Sequence, residues 1–312
     1  MTHDIQGQER PSPEKPHDPS EGGLLPISVC IIAHNEEAVI RGCVESVIGH
    51  AAEILVLDAG STDQTAAILQ ELQSECPRIT LFRGENDPNL NANKMRMIHR
   101  ATQPWVLSLD ADERIPEALW NEIATAITRE DVNGFWIPRK NYFVGRWLRY
   151  GDFYPDPQRR LFRRGRGGFA MRHVHEWLDV EGESATLSQP FIHYAFPNVQ
   201  TFVRKSCFYA QFVAEIWADR GVRWSLINHL RYGIWGPSRA FFRRYVRHQG
   251  FRDGFPGFLA AFILGFQDLL SYATVKELTT PPNDTIRPHA RFGVSRETHG
   301  NPDLPDPADE GP

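Results

Sequence analysis

The chain has 312 residues, a length of about two domains or one large one, and is big enough to bury a core without disulfides or a structural metal. Lys and Arg number 34 against 39 Asp and Glu, a formal net charge of -5, which excludes a global basic footprint for nucleic acid. Hydrophobic content of 41% and charged content of 23% exclude collagen-like, fully disordered and polytopic membrane classes, and four scattered cysteines without a C-x-x-C pair (Cys30, Cys43, Cys76, Cys207) read as free thiols in a reducing compartment.

Residues 1–25 are polar, interrupted by Pro11, Pro13, Pro16 and Pro19, and lack a signal-peptide pattern, so a disordered tail is expected and export is not indicated. Ile27-Ser-Val-Cys-Ile-Ile-Ala33 is an almost continuous apolar run of strand length, and Ile54-Leu-Val-Leu57 and Trp105-Val-Leu-Ser-Leu109 resemble it. Such runs suit strands buried on both faces. Between them, helical spacing predicts one helix on Ile40, Val44, Val47 and Ile48, and another on Ile68, Leu69 and Leu72 opened by a capping box at Ser61-Thr-Asp-Gln64.

This alternation predicts an α/β fold with a mostly parallel central sheet flanked by helices. Ligands on such sheets bind beyond the carboxyl ends of the strands. Here those ends run into His34-Asn35-Glu36-Glu37, Asp58-Ala-Gly-Ser-Thr-Asp63 and Asp110-Ala-Asp112-Glu113-Arg114, polar groups that apolar packing does not require. One shared rim is expected. After Pro116 a helix on Leu119, Ile123 and Ile127 should run to about Arg129. Short strands and loops follow from Phe135 to Phe196, then a helix from about Thr201 that buries Phe202, Phe208, Phe212, Ile216 and Trp217 and stops at Gly221.

Asp110-Ala-Asp112 carries the sharpest chemistry. Two carboxylates one residue apart at a strand end are hard oxygen ligands suited to Mg2+ or Mn2+ that also binds phosphate. An acidic turn is the plain alternative. A phosphohydrolase with Asp110 as nucleophile is another, but that chemistry puts Thr or Val where Arg114 stands and gives the upstream strand ends no task.

The run ISVCIIAHNEE from Ile27 to Glu37, DAGSTDQT from Asp58 to Thr65, Asn93-Lys94 and DADE from Asp110 to Glu113 together resemble glycosyltransferase family 2, inverting nucleotide-sugar transferases with a Rossmann-like domain. Tyr154 to Arg163 (YPDPQRRLFR), Val174-His-Glu-Trp177 and Phe191-Ile-His-Tyr194 resemble its bacterial subgroup acting on lipopolysaccharide core or other lipid-linked glycans. The resemblance spans Ile27 to Glu277. It implies a nucleotide-sugar-binding half at 26–130 and an acceptor and catalytic half at 131–200. The implied donor is a nucleoside-diphosphate sugar with uracil as base.

Residue by residue, the resemblance implies that Asp58 and the backbone of Ala33, Asn35 and Glu36 line the base pocket and that Lys94 lies near base or phosphate. Asp110 would contact the ribose, and Asp112, with Asp110, the metal. Glu176 is the implied general base, with Asp156 as substitute; apolar Val174, Trp177 and Leu178 around it would raise its pKa. Its alternative is a surface carboxylate. His175, in His173-Val-His175, is a candidate near metal or diphosphate, and His193 reads as structural. Arg159 or Arg160 is a candidate phosphate ligand through the guanidinium fork.

From Arg223 to Arg252 there is no Asp or Glu, while Arg223, Arg231, Arg239, Arg243, Arg244, Arg247 and Arg252 interleave with Trp224, Tyr232, Trp235, Phe241, Phe242 and Tyr245. That pattern marks an interfacial helix beside anionic lipid. Phe255 to Phe266 is apolar but stops at Gln267-Asp268, short of the roughly 20 residues a span needs. Residues 201–280 are therefore expected to be a helical, membrane-interfacial region, and 281–312 a disordered acidic tail.

The sequence thus reads as an inverting, metal-assisted glycosyltransferase, peripheral on the cytoplasmic face of the cell membrane. Its expected partners are a nucleotide-sugar donor, a lipid-linked or lipopolysaccharide-type acceptor and the anionic membrane surface, with no nucleic acid. The rival from another class is a non-catalytic sugar-nucleotide-binding scaffold, with the phosphohydrolase behind it.

Overall fold

The apolar runs fold side by side as parallel strands: β1 (Leu25–Ala33), β2 (Ala51–Asp58), β3 (Ile79–Arg83) and β4 (Trp105–Asp110), in the spatial order β3-β2-β1-β4. This is a computed structural model, and it describes residues 23–87, 90–169 and 178–279. Residues 1–22 of the expected first tail, and all of the second, lie outside them. Side chains alternate across a strand. Ile27, Val29, Ile31 and Ala33 of β1 therefore enter one core with residues of α1 (Ile40–Ile48), α2 (Thr65–Glu75) and α4 (Glu117–Ala126). Cys30 enters the opposite core with Met97 and Ile98 of α3 (Leu90–Ile98).

Beyond β4 the chain adds β5 (Glu113–Arg114), β6 (Gly134–Ile137), β7 (Arg139–Phe143), β8 (Arg146–Trp147) and β9 (Gln158–Arg163). β9 lies antiparallel between β4 and β6, so one sheet runs through both expected halves. Then come β10 (Gly167–Gly168), β11 (Asp179–Val180), β12 (Ser184–Thr186) and β13 (Phe191–Phe196). Among the described residues the main sheet has seven strands, ordered β12-β6-β9-β4-β1-β2-β3, and a second has the order β5-β13-β7-β8. That second sheet matters for chemistry. It pairs β13 antiparallel with β5, setting His193 opposite Glu113 just past the Asp110-Ala-Asp112 turn.

Three local expectations change. α2 starts at Thr65, with its amide donating to Asp63 Oδ1 at 2.9 Å; Ser61 does not cap it, because its hydroxyl accepts from Asn35 N at 3.0 Å. In α5 (Val199–Asp219) Phe202 and Trp217 are buried, while Phe208 faces outward and the buried line runs through Ser206, Ala210 and Ala214. Small residues occupy that line because α8 (Gly254–Thr279) packs closely on it. Finally, α8 is one unbroken 26-residue helix. Gln267-Asp268 does not end it, because the carboxylate of Asp268 sits half-buried within the electrostatic reach of Arg243 and Arg244.

Those arginines belong to a helical arm, residues 226–247, made of α6 (Leu226–Asn228), a π-helical stretch His229–Trp235, α7 (Gly236–Phe242) and a second π stretch Arg243–Arg247. The arm runs antiparallel to α8: Tyr232 stacks with Tyr272 at 5.9 Å, and Phe241 meets Phe258 edge-on at 5.8 Å.

Candidate active site

The rim forms where β1, β2 and β4 end. Ala33 carbonyl accepts the Ala59 amide at 2.8 Å, stitching the ends of β1 and β2. Asn35 takes φ 56°, a left-handed conformation that Asn tolerates, and its Oδ1 accepts Thr62 N at 2.8 Å. Glu36 N donates to Thr65 Oγ1 at 2.8 Å. The buried Asp58 takes Ser61 N on Oδ1 at 3.0 Å. Register sets Asp58 beside Ala33 and Asp110 beside Ile32, so the two acids flank the tip of β1. Two strand spacings put their backbones about 10 Å apart.

Asp110 is the centre of a buried charge cluster. Lys94 Nζ lies 2.5 Å from Oδ1, and Arg160 Nη2 lies 2.5 Å from Oδ2. The same guanidinium reaches Glu113 Oε1 at 2.5 Å, while Glu113 Oε2 accepts the Asp110 amide at 3.0 Å. Burial would raise the Asp110 carboxyl, but Arg160 and Lys94 hold it far below the usual carboxylate range. Glu113, fully buried, goes the other way: desolvation raises it against the pull of Arg160.

The two acids of the turn are therefore not equivalent. Asp110 gives both oxygens to cations, Lys94 and Arg160. Asp112 faces His193, Nε2 to Oδ2 3.4 Å, with Lys205 Nζ at 3.8 Å. Burial alone would raise Asp112, but His193 and Lys205 hold it low. Glu36, nearby, is pushed up to about 7, first by burial and then by the negative charge of Asp112, with Asp110 and Asp63 adding to it.

Two other expected site residues stand elsewhere. Strand alternation in β9 turns Arg160 into the cluster and Arg159 to the opposite face, where it pairs with Asp179 at 3.0 Å and stacks over Trp136 at 4.5 Å; Arg159 is thereby corrected as a phosphate ligand. Asp156 Oδ2 accepts from Arg139 Nε at 2.9 Å, Arg139 Nη2 at 2.7 Å and Asn141 Nδ2 at 2.7 Å. An oxygen so occupied clamps a loop and is a poor general base, which corrects Asp156 as the substitute for Glu176. Glu176, His173 and His175 lie outside the described residues.

Residues 28–178 match the family described as Glycosyl transferase family 2. Over 246 residues the chain is 30% identical to the lipopolysaccharide core biosynthesis glycosyltransferase LpsC of Rhizobium meliloti, covering 76% of this chain and 87% of that one. The chain belongs to glycosyltransferase family 2. It is also 26% identical over 277 residues to an uncharacterized glycosyltransferase of Rickettsia bellii, covering 84% and 90% of the two chains. Among solved structures, S. aureus TarS 1-349 in complex with UDP-GlcNAc shares 14% identity at a TM-score of 0.43, covering 80% of this chain and 90% of that one.

Membership in family 2 makes the chain a glycosyltransferase and sets aside the scaffold and phosphohydrolase readings. It also implies a divalent ion, which the donor set can be tested against. Asn141 Nδ2 donates to Phe153 O at 3.0 Å and to Asp156, so its Oδ1 is fixed as an acceptor. His193 Nδ1, 2.7 Å from that Oδ1, must then donate. This fixes the tautomer, and in the neutral ring the Nε2 lone pair points at Asp112. One carboxylate and one imidazole facing each other fit a metal ion that keeps waters and takes the rest of its ligands from a diphosphate. Among the described residues no group of three His, Cys, Asp or Glu side chains stands ready to hold a metal unaided.

Asn141 and Lys205 went unread in the sequence, Glu113 was read within the DADE run without a role of its own, and His193 was read as structural. His193 also left a signal, an imidazole breaking the apolar Phe191-Ile-His-Tyr194 strand.

Proposed function

We propose that this family 2 glycosyltransferase takes a uridine-diphosphate sugar and transfers the sugar with inversion to a lipid-linked or lipopolysaccharide-type glycan at the cytoplasmic face of the cell membrane. The observation that carries the donor half is the facing pair Asp112 and His193, 3.4 Å apart, with His193 Nδ1 held by Asn141 so that Nε2, once it gives up its proton, joins the carboxylate as a lone-pair donor. These two residues would hold Mg2+ or Mn2+, with His175 a further candidate on the family resemblance. When bound, such an ion offsets the charge that grows on the departing diphosphate. Lys94 and Arg160 keep Asp110 ionised, and each of its oxygens retains a lone pair for a ribose hydroxyl. Asp58, across the tip of β1, would accept from the base. Glu176, on the resemblance, would take the proton of the acceptor hydroxyl on the face opposite the diphosphate.

The acceptor half is supported by an exposed apolar surface. Phe255, Phe258, Phe262, Phe266 and Leu269 form one outward stripe on α8, and Leu226, Ile227, Leu230, Ile234 and Trp235 stand exposed on the arm, Leu226 at 78%. Large apolar side chains grouped outward on neighbouring helices mark interaction or membrane surfaces. α8 is long and apolar enough to cross a bilayer, yet its other face is packed on α5 and the arm, which supports lying at the interface. Arg231, Arg239, Arg243 and Arg244 of the arm suit anionic headgroups, and the name of the Rhizobium relative supports the acceptor class.

The test is thermal unfolding of the full chain with UDP, with and without Mn2+, beside Asp112→Ala and Glu176→Gln. The Mn2+-dependent rise should vanish in Asp112→Ala, and Glu176→Gln should bind UDP yet fail to transfer. A melting temperature unmoved by UDP with Mn2+ sinks the donor assignment.

A further inference from the structure

An open cavity of about 290 Å³ lies where the segment joining β8 to β9 meets the end of the helical arm; Arg149, Tyr150, Asp152, Tyr154, Arg247 and His248 line it. Its framework is built from backbone. Gly151 N donates to His248 O at 2.9 Å, in a φ of 67° that suits glycine, and Asp253 Oδ2 accepts the amides of both Arg149 and Tyr150 at 2.9 Å. Asp152 is engaged by His248 Nδ1. The two arginines are not neutralised. Arg149 stacks on Trp147 at 4.3 Å, and among the described residues neither its guanidinium nor that of Arg247 forms an ion pair. Arg252 adds a third cation at the edge, 4.5 Å over the Tyr150 ring.

The place of this cavity is as telling as its charge. On one side Val246 and Phe251 carry the exposed apolar surface up to its edge. On the other, the lining segment is tied to the active site: Phe153 O accepts from Asn141, the residue that orients His193, and Pro155 O accepts the Arg139 amide at 2.8 Å. On the acceptor reading, a glycan reaching from that apolar surface toward Asp112 would pass beside this segment.

We propose that the cavity is an acceptor subsite that binds a phosphate or carboxylate carried on the acceptor's own glycan, gripped by the guanidinium forks of Arg149 and Arg247 beside the rings of Tyr150 and Tyr154. This rests on the acceptor reading above and adds that the acceptor is anionic near the site of transfer. The same oxyanion chemistry is offered by lipid headgroups, so the test has separate arms.

Calorimetry of inorganic phosphate binding to the full chain is compared between wild type and Arg149→Gln/Arg247→Gln, with Arg149→Lys/Arg247→Lys as the charge-retaining control. Vesicles of phosphatidylcholine with phosphatidylglycerol are pelleted with each, and UDP affinity is measured in parallel. The Gln pair should lose about tenfold or more in phosphate affinity, keep UDP and vesicle binding, and be partly rescued by the Lys pair. Phosphate binding unchanged in the Gln pair overturns the proposal. Loss of vesicle and phosphate binding together also overturns it, assigning the cavity to bilayer headgroups. Failure of the donor reading looks different, because wild type would then not bind UDP at all.

Discussion

At the scale of single residues, Arg160 holds two acids together, the fully buried Glu113 and the partly exposed Asp110. Its guanidinium serves Asp110 and Glu113 at once, 2.5 Å from each. Removing one partner of a buried ionic cluster leaves uncompensated charge, typically costing 3–5 kcal/mol. Arg160→Met is expected to lose about that much in urea unfolding, and Arg160→Met/Glu113→Gln to regain part of it; an equal loss in both would show that Glu113 is not the stranded charge. Glu36 gives a pH signature. Its carboxyl sits near 7 in the folded chain against about 4.3 unfolded, so between these values the folded state holds more proton than the unfolded one. Stability of the metal-free protein should therefore fall as pH rises through that window and level off above it. Glu36→Gln should flatten this part of the profile, measured as the difference in urea midpoint between the two proteins from pH 5 to 8. No difference in slope would mean that Glu36 titrates normally.

At the scale of elements, α8 packs one face on the protein and turns the other outward. Its inner line of Gly257, Ala260, Ala261, Gly265 and Ser271 allows close approach, and a Cβ on Gly257 would lie 2.1 Å from Gly250 O. Its outer line is phenylalanine. Transferring one such ring out of water is worth about 1.5–3 kcal/mol. Replacing Phe255, Phe262 and Phe266 with Ser should thus cut vesicle pelleting by orders of magnitude while leaving the melting temperature nearly unchanged, since those rings already face outward. Undiminished pelleting would remove α8 from the membrane surface. The length of this helix was not legible from the sequence, because Asp268 reads as a stop in a one-dimensional hydropathy profile. Only the neighbouring arm, with Arg243 and Arg244, makes that charge tolerable inside a helix packing.

At the scale of the whole molecule, one seven-stranded sheet carries the polar rim proposed for the donor, a four-stranded sheet brings His193 to it, and the helical arm with α8 carries the apolar surface. Because ligand binding is paid only by the folded state, UDP with Mn2+ at a hundred times its dissociation constant should add about 2.7 kcal/mol to global stability, and Asp112→Ala should abolish the Mn2+-dependent part. An increment that survives this substitution would move the metal site elsewhere.

The sequence by itself determined the parallel strands and their polar ends, because a doubly buried strand must be apolar throughout and anything polar at its tip is a local departure visible without neighbours. It also determined the basic, aromatic stretch that became the arm. Tertiary structure alone decided which of Arg159 and Arg160 turns inward, that Asp110 is neutralised by cations while Asp112 faces an imidazole, and that the Asn141 amide fixes that imidazole's proton. These depend on pairing β9 with β4 and β13 with β5, contacts between residues about 50 to 80 positions apart. No local pattern records them, because a side chain's direction in a strand has a period of two and a single slip in register reverses it.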